Sequence, residues 1–488
     1  MNYSEYYDKT SPESIESYGK NLIGQAFREV LQKDTSIIQD GLPYAEQNLN
    51  YYESLAAKGN LGHLIEKHYF HYEINSDSDP DFKEAGVELK VTPYKQNKNG
   101  SFSAKERLVI TIIDYMKVIF EPFDESHLRK KCNLILLIYY LYQKELHRLD
   151  NEIKFVQLFQ IPKDDLEIIK ADYQVIIEKI RAGKANELSE GDTYYLGACT
   201  KGATAATSIR NQPFSDIPAK QRAFCFKTSY MTYVLNNYVL PGKNTYEKIK
   251  YTGDFEHSIL SSINSKIGCR VADLLTEYEV SYQKRPKNLE SNLIFRILGL
   301  KSNKAMEFIK AGIVVKTIRL EPNETLRETV SFPAFNFIEL VNEEWDDAEI
   351  NEYLSETKFL FVVFKKDSSY ERYKKEKNYV GMDNHLSLYY STFWNMPKAD
   401  IEIDVKTVWE RTQQVLLDGI ITEQHGSRTF NNLPSSSENR VCHVRPHGKN
   451  KTDVLPLPTG GTFPKQSFFL NSHYIRDEIM KLKKKRGN

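Results

Sequence analysis

The stretch DFKEAGVELKVTP, residues 81–93, has an altered copy later in the same chain, EFIKAGIVVKTIR at 307–319, and the alterations are chemically selective. Aligned without a gap, the copies share Phe82/Phe308, Ala85/Ala311, Gly86/Gly312 and Lys90/Lys316, whereas Glu88 gives way to Val314. Side chains alternate between the two faces of a strand, so this spacing points Val87, Leu89 and Val91 into a core and sets Glu88 and Lys90 together on the opposite face. The second copy repeats the inward face as Ile313, Val315 and Thr317. One fold used twice is expected, with a copy competent for acid, metal or phosphate chemistry and a copy stripped of it.

Other landmarks recur in the same order, as they do when a large unit is duplicated. KGNLGHLIEKHYFH (58–71) has a helical pattern with Leu61, Leu64 and Ile65 inward and Glu66 beside them; in KNLESNLIFRILGL (287–300), Phe295 falls at or next to the place of Glu66. SHLRKKCNLILLI (126–138) is matched by EYLSETKFLFVV (352–363), in which Lys131 becomes Thr357. Helical patterns follow at 168–183 and 404–419, then YLGACTKGA (195–203) and VCHVRPHGK (441–449), and each half closes with an aromatic strand entering a helix, from Ala223 and from Ser467. VLPGKNT (239–245) reads as a turn or linker. The expected organisation is a first domain at 1–238, a linker at 239–246 and a second domain at 247–488.

At 488 residues the chain is too long for one ordinary core. Its 40% hydrophobic and 27% charged residues are the profile of a globular protein. The N-terminus is polar and acidic, unlike a secretory signal, and the longest apolar run, near 132–142, is too short to span a bilayer. A cytoplasmic location without a membrane partner is expected. The five cysteines are odd in number and lack paired metal spacing, which reads as reduced core thiols. A formal net charge of zero gives no global support for nucleic-acid binding. Locally, residues 201–227 carry Lys201, Arg210, Lys220, Arg222 and Lys227 against Asp216 alone, and the C-terminus ends KLKKKRGN. Such segments are either solvated faces or a local electrostatic footprint.

The first half offers Glu66, Asp81, Glu88, Lys90 and Lys131. Two carboxylates at the start of a strand can converge on a divalent cation, because Mg²⁺ takes hard oxygen ligands and shares its shell with phosphate. A lysine two residues beyond the second carboxylate lies on the same face, where it can orient a water and offset charge on phosphorus. The bare D-x6-E-x-K pattern equally fits a salt-bridged, half-exposed strand. The repeat separates the two readings: the pattern of core residues recurs without Glu66, Glu88 and Lys131, so those groups are not needed for folding. His63 and His71 flank an apolar helical face without a second histidine at a zinc-ligand interval. Phe224, Phe226 and Tyr230 read as core.

At these residues the chain resembles a known family, the MutH mismatch-repair nickase and the MutH-like restriction endonucleases that cut at GATC. The resemblance rests on G-x-x-G-x-x-x-E at 59–66, D-F-x-x-x-G-V-E-L-K at 81–90, H-x-R-x-K at 127–131 and the closing aromatic strand. A tandem of an active and an inactive copy looks like the GATC restriction enzymes. The resemblance implies an α/β restriction-endonuclease-like fold in each half, a central mixed sheet flanked by helices. It also implies Mg²⁺ held by Asp81 and Glu88, Lys90 as the catalytic lysine, and Glu66 and Lys131 as supporting groups. The activity implied is cleavage of double-stranded DNA at 5′-GATC-3′ on the 5′ side of G, by two molecules associating on DNA. The family's R-P-K-A-A segment aligns with CTKGA, so Lys201 holds the lysine position while Cys199 replaces the arginine; the second half keeps Arg445 and places His447 at the lysine position. Arg210 and Lys449, in the adjoining basic segments, complete the candidate DNA contacts. The competing expectations are a strand-specific repair nickase and a GATC-binding regulator without catalysis.

Overall fold

The computed structural model describes residues 6–34, 51–53, 61–72, 79–97, 99–201, 208–240, 242, 245–426, 428–450 and 452–486. Gly59, which opens the first family-like motif, and positions 241, 243 and 244 of the expected linker lie outside the described residues. The chain divides into two compact units, Met1–Thr245 with Ile309–Ala311, and Tyr246–Phe308 with Gly312–Asn488.

The first unit contains, in chain order, α1 (Pro12–Lys20), α2 (Leu61–His68), β1 (Glu88–Gln96), β2 (Phe102–Ala104), β3 (Leu108–Ile112), α3 (His127–Lys131), β4 (Ile135–Leu141) and β5 (Ile153–Phe159). It continues with α4 (Lys163–Arg181), β6 (Leu196–Thr200), β7 (Ile209–Gln212), β8 (Ser215–Lys220), β9 (Arg222–Phe226) and α5 (Thr228–Val234). Before β1 the chain turns back on itself, with Phe82 N–H donating to Val87 O at 2.9 Å. Gly86 closes that turn at φ +66°, a left-handed conformation that an L side chain adopts at a cost. The main sheet runs β2-β1-β4-β5, with β1 parallel to β4 and the other pairs antiparallel. Val87 and Leu89 pack with Leu136, Ile138, Leu64, Ile65 and Ile15, which leaves the other face of β1 to Glu88 and Lys90 as the alternation requires.

A second antiparallel sheet, β3-β9-β6, carries β6, whose last residue, Thr200, precedes Lys201. It is tied to α4 by Asp172, whose buried carboxylate accepts from the N–H groups of Tyr194 (2.8 Å), Tyr195 (2.7 Å) and Leu196 (3.0 Å). Burial lifts this carboxyl to about 6 against the pull of those three donors.

The second unit repeats the plan. Its elements include α6 (Leu289–Ile297), β10 (Ile313–Leu320), β11 (Val330–Ala334), α7 (Glu349–Glu356), β12 (Lys358–Lys366), β13 (Leu386–Trp394), α8 (Lys406–Asp418) and the hairpin β14 (Thr422–His425) and β15 (Arg428–Asn431). β16 (Cys442–Pro446), β17 (Val454–Pro456), β18 (Thr462–Pro464), β19 (Gln466–Leu470) and α9 (Ser472–Arg486) follow. The sheets run β10-β12-β13, again with a parallel first pair, and β11-β19-β16. Gly312 repeats the left-handed turn at φ +64°.

Register refines two expectations. Glu88 lies opposite Ile135 and Val314 opposite Phe359, so the position four residues before the paired strand residue is Lys131 in one unit and Ser355, not Thr357, in the other. In β10 Ile313 is buried but Val315 and Thr317 are only half-buried. The larger apolar cluster lies on the other face, where Val314, Ile318 and Leu320 pack with Phe332, Phe359 and Phe361. An isopropyl group can be buried there; a carboxylate could not be without partners.

Asp172→Ala would strand three buried N–H donors, and a loss of about 3 kcal/mol is expected. The check is the thermal midpoint of the full chain, which should fall clearly below that of wild type.

Candidate active site

Glu88 is the most enclosed charged group of β1, at 1% exposure, and it is held by ammonium groups from two elements. Lys90 Nζ, two residues along the strand, donates to Oε1 at 2.6 Å. Lys131 Nζ, from the last turn of α3, stands 3.3 Å from both Oε1 and Oε2. Ser126 caps the start of α3 by accepting from Arg129 N–H, and this short helix delivers Lys131 to the mouth of β4. Asp81, on the far side of the Gly86 turn, accepts from Leu89 N–H through Oδ2 at 2.8 Å, which fixes it beside the start of β1.

Glu66 enters from α2. Burial, and then the negative charges of Asp81 and Glu88, push its carboxyl up to about 7, while Lys90 and Lys131 pull the other way. Glu88 is also raised, first by burial and then by Asp81, with the two lysines opposing. All five residues singled out from the sequence therefore act on one another in one place. Two further side chains join them. His63 lies within electrostatic reach of Asp81 and Lys90, and burial lowers its imidazole. Tyr72 feels Asp81, Glu66 and Glu88, and burial followed by those charges raises its phenol far above the usual value. The spacing argument missed Tyr72; its one sequence signal was its place just beyond the Glu66 helix in a stretch with no tyrosine in the copy.

Among the described residues, no three His, Cys, Asp or Glu side chains already form a metal cage. The donor set nevertheless fits a hard divalent cation. Mg²⁺ is commonly held by one or two carboxylates, with waters and substrate phosphate completing its shell. Crowded carboxylates that raise one another are relieved by a cation as they are here by Lys90 and Lys131.

The candidate DNA contacts fall into exposed and structural groups. Lys201 is exposed at the end of β6, where its N–H donates to Gln221 O at 2.9 Å; residues 202–207 beyond it lie outside the described residues. Arg210 is exposed on β7, and Arg445, His447 and Lys449 are exposed on and after β16. Arg445 lies over the Phe469 ring at 5.1 Å. By contrast, two members of the basic 201–227 segment are interior. Arg222 donates to Ala198 O, and Lys227, fully buried, donates to Thr193 O at 2.5 Å.

In the second unit the corresponding place is apolar. Phe295 and Val314 stand for the two glutamates, and among the described residues Lys316 reaches only the Ser331 carbonyl, at 3.4 Å, with its amine lowered by burial. Glu307, the counterpart of Asp81, accepts instead from Ile249 N–H at 3.0 Å.

Comparison with known proteins agrees with this division. The family described as DNA mismatch repair enzyme MutH matches residues 70–172, a span that includes Asp81, Glu88, Lys90 and Lys131 but not Glu66. The chain is similar to the type II restriction enzyme Sau3AI of Staphylococcus aureus, at 38% identity over 478 residues, 88% of this chain and 94% of that protein. It is also similar to the mismatch repair protein MutH of Vibrio vulnificus strain YJ016, at 28% identity over 188 residues, 37% of this chain and 78% of that protein. The MutH of Vibrio parahaemolyticus is 24% identical over 183 residues, 36% and 77% of the two chains. The MutH proteins thus match about one unit's length, and the restriction enzyme matches the tandem.

Lys316 is a half-buried amine without a carboxylate among the described residues, so Lys316→Met should be neutral or stabilising, within about 1 kcal/mol. Denaturant unfolding and a DNA cleavage assay on the same sample should show this stability and an unchanged cleavage rate.

Proposed function

The chain belongs to the MutH-like family of type II restriction endonucleases, and from that premise we propose that it is a Mg²⁺-dependent enzyme cutting double-stranded DNA at 5′-GATC-3′, on the 5′ side of G. The observation that supports this most is the pairing of a complete Glu66, Asp81, Glu88, Lys90 and Lys131 cluster in one unit with its apolar replacement in the other. Asp81 and Glu88 would hold the cation, which when bound supplies positive charge against the phosphate and makes a nearby water easier to deprotonate. Lys90 then turns from Glu88 toward the attacking water and the charge developing on the phosphate oxygens. Lys131 keeps the buried Glu88 carboxylate ionised and aligned, and Glu66 accepts from solvent at the site's edge. In-line attack by water breaks the P–O3′ bond and leaves 5′-phosphate and 3′-hydroxyl ends.

Lys201 in the first unit, and Arg445 and His447 in the second, are suited to reading bases, with Arg210 and Lys449 on phosphate. Lysine or arginine on guanine in the major groove is worth about 1 to 3 kcal/mol of discrimination. One catalytic cluster cuts one strand, so a double-strand break calls for two chains associating on DNA in the cytoplasm. The second unit, which keeps exposed basic groups without the acids, acts in this reading as a DNA-binding effector that favours the paired, cutting state. A strand-specific nickase and a non-cutting GATC regulator are the alternatives.

Purified protein with Mg²⁺ and unmethylated plasmid distinguishes the three: linear fragments are expected, nicked circles would indicate the nickase, and uncut plasmid the regulator. Glu88→Ala should abolish cutting while specific duplex binding, measured without Mg²⁺, stays within about threefold, since affinity comes from phosphate and base contacts.

The effector role predicts slow cleavage of single-site DNA that is accelerated by a short GATC duplex added in trans but not by a scrambled one. Equal rates on single-site and two-site plasmids across enzyme concentrations, with the specific duplex only competing, would reduce the second unit to a clamp.

A further inference from the structure

The hydroxyl of Tyr72 is buried in the first unit close beside the Asp81 carboxylate, yet makes no hydrogen bond of full geometry to any described residue. Buried polar groups are nearly always paired, so an unpaired one inside a reactive cluster marks the place of a ligand atom. Three observations indicate that this hydroxyl is aimed. His71, immediately before it, adopts a left-handed backbone at φ +52°, a conformation that is uncommon outside glycine and turns the chain sharply after α2. Tyr72 N–H then donates to Glu66 O at 3.2 Å, and the ring lies edge-on to Phe82, 5.4 Å between centroids, against the core that holds β1. Finally, the second unit has Gly299-Leu300-Lys301 in the corresponding turn and no tyrosine. Tyr72 is missing from the copy together with Glu66, Glu88 and Lys131, although the copy keeps the strand order.

We propose that Tyr72 is a further residue of the catalytic site, donating its O–H to an oxygen that enters between Asp81, Glu66 and Glu88 during the reaction. A phenol ordinarily loses its proton only at about pH 10, so at neutral pH Tyr72 keeps its O–H and can donate it. The oxygen it meets must therefore be an acceptor, either a water bound by the cation or a non-bridging oxygen of the scissile phosphate. Its role is to orient that oxygen and to stabilise negative charge on it, as a preorganised donor does in other hydrolytic sites. This inference rests on the nuclease reading of the cluster.

Tyr72→Phe keeps the ring against Phe82 and removes only the donor. In the full chain with saturating Mg²⁺, cleavage should slow by roughly ten- to a hundredfold, with an unchanged thermal midpoint. Two binding measurements separate the sources of the oxygen. If it is a bound water, Ca²⁺ titrated into DNA-free protein in a calorimeter binds more weakly to the variant. If it is the phosphate, that titration is unchanged, and Ca²⁺-supported binding of a GATC duplex weakens instead. Wild-type cleavage with both titrations unchanged overturns the proposal. A lower midpoint whose cleavage loss disappears on cooling also overturns it, because Tyr72 would then be a packing residue. Glu88→Gln runs alongside: if it too cuts normally, the nuclease reading of the cluster fails, whereas an inactive Glu88→Gln beside a fully active Tyr72→Phe removes Tyr72 alone.

Discussion

The carboxylate of Glu88 is kept out of water at the head of β1, and the architecture of the first unit follows from what that requires. An ion taken from water into protein costs several kcal/mol even after relaxation, and good geometry with opposite charge must offset it. Lys90 does so from the same strand and Lys131 from a helix forty-odd residues away. The second contact exists only because β4 lies parallel to β1 with Ile135 opposite Glu88, which seats the end of α3 directly over the carboxylate. The parallel pair, its long crossover and the short capped helix are thus one device for presenting a charged group at an edge of a hydrophobic sheet.

The second unit shows what the same scaffold does when that demand is lifted. With Val314 in place of Glu88, the face can close on Phe332, Phe359 and Phe361, and the aromatic stack of Phe359, Phe361 and Trp394 fills in behind it. Hydrophobic burial contributes about 25 cal/mol per Å² without any need for partner charges. Lys316 persists as the isolated survivor, its ammonium half-buried against one carbonyl. Loss of the acids and gain of packing are the same event viewed from two sides.

Much of this was legible in the sequence because strands obey a period of two and the chain carries its own control copy. Glu88 and Lys90 on one face, with Val87 and Leu89 on the other, follow from local rules and are found in the structure. What escaped was set by contacts distant along the chain. Equal spacing placed Thr357 under Lys131, but strand register places Ser355 there, since the chain from Val314 to its partner Phe359 is shorter than that from Glu88 to its partner Ile135. Arg222 and Lys227 look like part of a basic surface in one dimension and are bonded to interior carbonyls in three. Tyr72 had no motif around it, and its significance depends on a turn at His71 that no periodicity announces.

The strand that follows each core shows a second exchange of polar for apolar, now running in the opposite direction. In the first unit, β6 and β9 bring together Cys199, Ala223 and Cys225, all buried, where the pairing of β16 with β19 gives Arg445, Ser467 and Phe469. Arg445 is exposed with its guanidinium over Phe469, and His447 approaches the same ring, with 5.6 Å between centroids. A stacked guanidinium loses less freedom when it engages a planar partner than a free one does, because its plane is already set. The unit that lost its acids therefore holds the better-organised cation, while the unit that kept them exposes Lys201 beside a small thiol core. The carboxylate cluster and the ring-stacked guanidinium thus stand on opposite copies of one fold, each where the other copy is apolar or small.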